Sequence, residues 1–239
     1  MDSMFPGRVF IALGTGEAMN DSPLGYPWPK FDERLERVKE SIEIIRQLWT
    51  SDFVNYSGTY YTLKNANLYT KPRTQIPIYV AESGPHAATL VGKYADGYAT
   101  VDPVKENIKQ LWPIIDQAAR EVGRDANKLS KNVELFVSYS KNYDEALVSA
   151  RRWKSGLIPN ILNLRVADPR ELERRGDEIS DSELAKVWTI TTDPEDIMRK
   201  VQSAINLGYD EIQLHSASPS EEEFLEMCDR ELLPNLKEN

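Results

Sequence analysis

Residues Arg8 to Asp21 read RVFIALGTGEAMND. Val9, Phe10, Ile11, Ala12 and Leu13 form a continuous apolar run, the pattern of a strand buried on both faces in a parallel sheet. The run stops at Gly14-Thr15-Gly16, where the missing Cβ atoms let the backbone turn tightly and approach a ligand. Glu17 follows at once. A carboxylate therefore stands at the carboxyl end of a buried strand, the end at which α/β barrels and open α/β sheets hold their chemistry. The expectation is an α/β enzyme that binds a cofactor.

Working outward, helical and strand patterns alternate along most of the 239 residues, as in repeated parallel βα units, and the length suits one domain. A Pro-containing connector, Asp21 to Lys30, precedes an amphipathic helix whose stripe is Phe31, Leu35, Val38, Ile42, Ile45 and Trp49. Residues 53–75, rich in Tyr and Asn, read as an irregular excursion or hairpin; their aromatics suit either a binding rim or core filling beneath it. Further buried strands are expected at Ile76–Ala81, Gly97–Val101, Val133–Tyr139 and Asp210–His215. Helices are expected at His86–Tyr94, Val104–Val122 and from about Glu221. Residues 142–189 read as a mostly helical, charged insertion broken near Pro159. Thr192-Asp193-Pro194-Glu195 is a helix start: a capping side chain, Pro in the first turn, then acids. This makes five buried strands, fewer than the eight of a closed βα barrel.

Composition excludes several classes. With 29 Lys and Arg against 38 Asp and Glu, the chain carries a net charge of −9, which repels a phosphate backbone. No apolar run approaches a membrane span, and MDSMFPGR lacks the apolar core of a signal peptide. One cysteine, Cys228, cannot form an intrachain disulfide and suits a reducing cytoplasm. With a single Cys and two His, a Cys/His zinc site is set aside; the count does not bear on a carboxylate site for a harder ion, and no residue is assigned to a metal.

Four groups of residues could carry chemistry. Gly14-Thr15-Gly16 fails as a dinucleotide fingerprint, because Met19 stands where GxGxxG requires its third glycine. Glu17 is either a solvated loop carboxylate or a general acid/base at the strand end, where partial desolvation suits proton transfer. Asn20 either caps the turn or reaches a heterocycle edge. Glu82-Ser83-Gly84-Pro85-His86 offers a hydroxyl, a flexible backbone and a helix amino terminus, whose unpaired N–H groups suit a phosphate or polyhydroxyl tail and equally suit a plain cap. His215 ends the last strand and is a weaker, substrate-side candidate.

Read together, GTGEAMN at Gly14–Asn20, PIYVAESGP at Pro77–Pro85, ADGYAT at Ala95–Thr100 and AKVWTITTDPED at Ala185–Asp196 resemble the luciferase-like superfamily, from about Phe5 to the C-terminus. Within it they resemble the branch of F420-dependent glucose-6-phosphate dehydrogenase. The resemblance implies a (βα)8 TIM barrel that holds deazaflavin coenzyme F420 at the carboxyl ends of its strands; FMN, as in the monooxygenases, is the alternative cofactor. It implies Glu17 as the catalytic acid/base, Gly16 and Asn20 beside the cofactor, and Ser83, Gly84, His86 and Ala87 around its ring and tail. It further implies a cytoplasmic, homodimeric oxidoreductase acting on a small molecule, with no nucleic acid and no membrane.

Two departures accompany the resemblance. The sugar-phosphate enzymes carry phosphate-holding cations where this chain has Val104, Asn163 and Val187; Lys105, Arg165 and Lys186 stand one or two positions away. Glucose 6-phosphate is thereby disfavoured, and an alcohol/carbonyl pair is expected, with Lys186 a weak substrate-side candidate. The family's first three strands, with a catalytic His and a nearby Trp, find no counterpart, so the expected fold is an incomplete barrel entered at about the fourth strand. On this reading the 239-residue chain alone associates or precipitates and shows no hydride transfer. A remnant without activity that binds a partner is the alternative of another class.

Overall fold

The computed structural model describes residues 1–81, 84–102 and 104–236, and of Val104 the backbone alone. No helix among them is long and apolar enough to cross a membrane. The strands are β1 (Ile11–Leu13), β2 (Val54–Ser57), β3 (Thr62–Ala66), β4 (Ile78–Ala81), β5 (Gly97–Val101), β6 (Ser130–Tyr139), β7 (Thr189–Thr191) and β8 (Glu211–Ser216). The α-helices are α1 (Ala18–Asp21), α2 (Phe31–Thr50), α3 (Pro85–Tyr94), α4 (Ile108–Glu121), α5 (Tyr143–Ala150), α6 (Pro169–Asp177), α7 (Asp181–Val187), α8 (Pro194–Asn206), α9 (Glu221–Met227) and α10 (Leu233–Leu236). The residues fall into two compact units: Met1–Gly16 with Pro29–Thr100 and Asn107–Lys131, and Glu17–Trp28 with Val101–Glu106 and Asn132–Asn239.

In the first unit β1 pairs in parallel with β4 (Ile11↔Ile78, Leu13↔Val80), and β4 with β5 (Tyr79↔Gly97, Ala81↔Ala99). Ile78, Tyr79 and Val80 are buried, as a central parallel strand requires. β1 is not: Phe10 and Ala12 are exposed, and Ile11 and Leu13 only half-buried. This corrects the expectation of a strand covered on both faces. Among the described residues β4 is its one strand neighbour, so one edge and part of its surface lack cover. The excursion at 53–75 resolves into the antiparallel hairpin β2–β3. Its turn is fastened to α2 by buried Glu40, whose carboxylate accepts the backbone N–H groups of Thr59 (2.6 Å), Tyr60 (3.1 Å) and Tyr61 (3.0 Å). Burial opposes ionisation there, yet these donors hold the Glu40 carboxyl below its ordinary value.

A second carboxylate tie fixes the start of the chain. Asp2 accepts from the Thr74 hydroxyl (2.6 Å) and from the backbone N–H groups of Thr74 (3.0 Å), Arg73 (2.5 Å) and Gly7 (3.2 Å). The Thr74 hydroxyl and then these amides hold the carboxyl down to about 2. A depressed carboxyl stabilises the folded state above its unfolded pKa of about 3.9, and that contribution fades as pH falls toward about 2. Melting temperatures of wild type and Asp2→Asn are expected to differ at neutral pH and to converge across that window. A gap that persists at about pH 2 would show that the tie does not act through ionisation.

In the second unit β6 pairs in parallel with β7 (Val137↔Thr189, Tyr139↔Thr191) and with β8 (Asn132↔Glu211, Phe136↔His215). Val133, Leu135 and Val137 are fully buried on one face of β6. The short β7 corrects the count of five parallel strands to six among the described residues; three residues are too few to show a period. The helix start after it forms as expected: Asp193 caps the Glu195 N–H at 3.0 Å, and Pro194 opens α8. A small core of Ala150, Leu184, Trp188 and Ala217 joins the helical insertion to these strands.

Candidate active site

Gly14-Thr15-Gly16 leaves β1 as a tight turn. A Cβ on Gly14 would meet the Ala81 carbonyl oxygen at 3.2 Å, so the turn passes close against the end of β4, and Gly16 has φ +83°, a left-handed backbone. Buried Arg34, from α2, reaches over the turn with its Nη1 3.3 Å from Thr15 Oγ1 and 3.5 Å from the Thr15 carbonyl. From the same end of the sheet, after β4, the chain enters α3 through Gly84. Ser83 and Glu82 lie outside the described residues. Gly84 takes an extended conformation at the N-cap, no side chain caps the helix among the described residues, and Pro85 occupies its first turn. The space where a Cβ of Gly84 would lie is open. Ala87 is buried, whereas His86 is exposed, its Nδ1 3.5 Å from Asp32 Oδ1. First-turn amides with no side-chain cap form an anion-accepting helix terminus.

In the second unit Glu17 stands at the N-cap position of α1 without using its side chain as a cap. Its Oε2 instead accepts from Asn20 Nδ2 at 3.2 Å, and its carbonyl accepts the Asn20 N–H at 3.0 Å. The carboxylate is half-buried and the amide exposed, so one acid and one amide are presented together. The connector beyond them is clasped by residues of the insertion: Trp28 Nε1 donates to Asn163 Oδ1 (3.3 Å), and Arg165 Nη2 donates to the Trp28 carbonyl (3.2 Å).

Lys105, like Arg165, is committed within the unit. Asp102 is buried, with its Oδ1 2.6 Å from Lys105 Nζ and its Oδ2 2.7 Å from Lys200 Nζ. Lys200 also donates to the carbonyls of Phe136 and Val187, both at 3.0 Å. Burial pushes the Lys200 ammonium below its ordinary value, and Asp102 acts against that shift. Lys186 is exposed on α7, with Glu183 within electrostatic reach. Among the described residues it is not joined to His215. No group of three or more His, Cys, Asp or Glu side chains among the described residues is placed to hold a metal ion.

His215 stands toward the carboxyl end of β8, with its Nδ1 2.6 Å from Glu134 Oε1. Glu134, Asp102, Lys200 and Arg34 are contributions that pattern reading missed. For Glu134 a signal existed. Alternation along β6 sets it opposite Val133 and Leu135, a carboxylate on the other face of a strand otherwise rich in apolar residues.

Comparison with known proteins places this geometry among relatives. A family model described as luciferase-like monooxygenase matches residues 1–211. An F420-dependent glucose-6-phosphate dehydrogenase of Microbacterium testaceum is 35% identical over 236 residues, covering 98% of this chain and 70% of the relative. Among solved structures, an F420-dependent secondary alcohol dehydrogenase in complex with an F420-acetone adduct superposes with a TM-score of 0.87 at 31% identity, over 97% of this chain and 70% of that one. The coenzyme F420 dependent tetrahydromethanopterin reductase of Methanopyrus kandleri shares the fold, with a TM-score of 0.72 at 19% identity, over 96% of this chain and 74% of its own.

Proposed function

We propose that this chain, which belongs to the luciferase-like monooxygenase family, is an oxidoreductase that passes a hydride between an uncharged alcohol and deazaflavin coenzyme F420. The cofactor part rests on relatives that are F420-dependent and on the terminus of α3, which has no side-chain cap among the described residues and whose amides at Gly84, His86 and Ala87 suit an anionic tail. When bound, the deazaflavin supplies the hydride acceptor. Gly16 lets the backbone approach the ring, Asn20 holds the Glu17 carboxylate, and Glu17 moves the proton that leaves or joins the substrate oxygen.

The observation that carries the substrate part is the engagement of Lys105. Its ammonium is spent on buried Asp102 at 2.6 Å, and Val187 and Asn163 bring no charge. A phosphoryl group would need such a cation, since a charge-assisted hydrogen bond is worth roughly 1.5–3 kcal/mol. Within the same reading we place the protein in the cytoplasm as a homodimer. Fluorescence titration with F420, FMN and NAD, followed by steady-state kinetics, tests the proposal. F420 is expected to bind preferentially, and 2-propanol to be turned over better than glucose 6-phosphate. Preference for FMN or NAD would overturn the cofactor assignment, and preference for the sugar phosphate would overturn the substrate class.

A further inference from the structure

The second unit holds a polar pair that the reaction outlined above leaves unused. β6 and β8 run in parallel with Phe136 opposite His215 and Glu134 opposite Gln213, so Glu134, Phe136 and His215 share one face. The Glu134 carboxylate meets His215 Nδ1 at 2.6 Å, within hydrogen-bond distance. A carboxylate only accepts, so Nδ1 carries the proton, and in the neutral ring Nε2 keeps its lone pair. Among the described residues Nε2 makes no hydrogen bond. Three rings stand about the imidazole, each nearly perpendicular to it: Trp153 at 4.4 Å and 89°, Trp188 at 5.5 Å and 82°, Phe136 at 5.6 Å and 86°. Phe136 and Trp188 are stacked on each other at 5.0 Å. The imidazole is nevertheless 23% exposed, so a small molecule can reach it.

An imidazole oriented by a carboxylate, hemmed by apolar rings and open at its second nitrogen is built to hold one polar atom of an otherwise apolar ligand. Glu134 adds negative charge beside it, which disfavours an anion. We propose that Glu134 and His215 form a substrate-binding dyad in which Nε2 accepts the hydroxyl proton of a small uncharged alcohol, with Trp153, Trp188 and Phe136 covering its apolar body. The proposal rests on the oxidoreductase reading for its substrate class and names the residues that set it. Glu134 is the positioning residue, and His215 the residue that touches substrate.

The chain has only two histidines, which makes the test clean. In the 239-residue chain labelled with nitrogen-15 at histidine, His215 is expected to show its proton on Nδ1. Its Nε2 resonance should move on titration with 2-propanol, while exposed His86 stays still and glucose 6-phosphate moves neither. Glu134→Ala should abolish the response, and Glu134→Gln, whose amide oxygen still accepts from Nδ1, should keep part of it. His215→Phe should raise KM for 2-propanol about two- to ten-fold, the loss of one hydrogen bond between neutral groups, with F420 affinity unchanged. A proton on Nε2, a resonance unmoved by 2-propanol, a response that survives Glu134→Ala, or an unchanged KM would overturn the dyad. Failure of the wild-type chain to bind F420 would overturn the deazaflavin reading instead, and the imidazole titration would still decide the dyad.

Discussion

Glu17→Gln is expected to lower turnover about 10²- to 10⁴-fold, the usual contribution of a general acid or base. Affinity for F420 should change little. Gln keeps the size of the side chain and an oxygen that accepts from Asn20 Nδ2, so the 3.2 Å contact and the backbone turn at α1 survive. What is lost is the carboxyl group that takes up and returns a proton. The carboxylate is spent neither on a helix cap nor on an ion pair among the described residues, which leaves it available for that work. Rapid-mixing measurement of F420 reduction at its visible absorbance separates the chemical step from cofactor binding. If reduction by the variant proceeds at the wild-type rate, Glu17 is a loop carboxylate and the proton is handled elsewhere.

The largest stability effect is expected at Asp102. Its carboxylate is almost wholly buried between two ammonium groups, and Lys200 is itself only 12% exposed at its side chain. Asp102→Asn leaves both cations close together with no counter-charge, and breaking a buried pair by removing one partner typically costs about 3–5 kcal/mol. Lys200→Met is expected to cost less, because Asp102 keeps Lys105, and the methionine occupies much of the same volume. Urea unfolding should therefore rank wild type, Lys200→Met and Asp102→Asn in falling midpoint with a common slope. Equal midpoints for Asp102→Asn and wild type would mean that the cluster is hydrated and contributes little. Lys105→Met adds a functional reading. If Lys105 serves Asp102 rather than a substrate, this variant should lose stability while its preference for 2-propanol over glucose 6-phosphate stays the same.

What could be read from the chain alone was local in origin. The apolar stripe of α2, the Asp193-Pro194 start of α8 and the limits of β5 depend on period and capping within a few residues, so pattern sufficed. The same holds for Glu17 and Asn20, which sit three positions apart on one turn and meet because of that spacing. The three-residue β7 is too short to carry a period and forms because β6 offers it a partner. The exposed edge of β1 is equally invisible in an apolar run, since burial depends on which strands stand beside it. Asp102, Lys105 and Lys200 look like ordinary surface charges in sequence, and only packing removes them from water and makes them a unit. Glu134 and His215 are 81 residues apart, and their contact exists because β6 and β8 pair in one particular register. A shift of one residue would turn Glu134 and His215 to opposite faces, since side chains alternate along a strand. Period and capping were thus enough for the longer strands and helices and for the turn that bears the acid. The tertiary structure decided which distant charges and rings share a face, because register and burial are properties of paired strands rather than of any one of them.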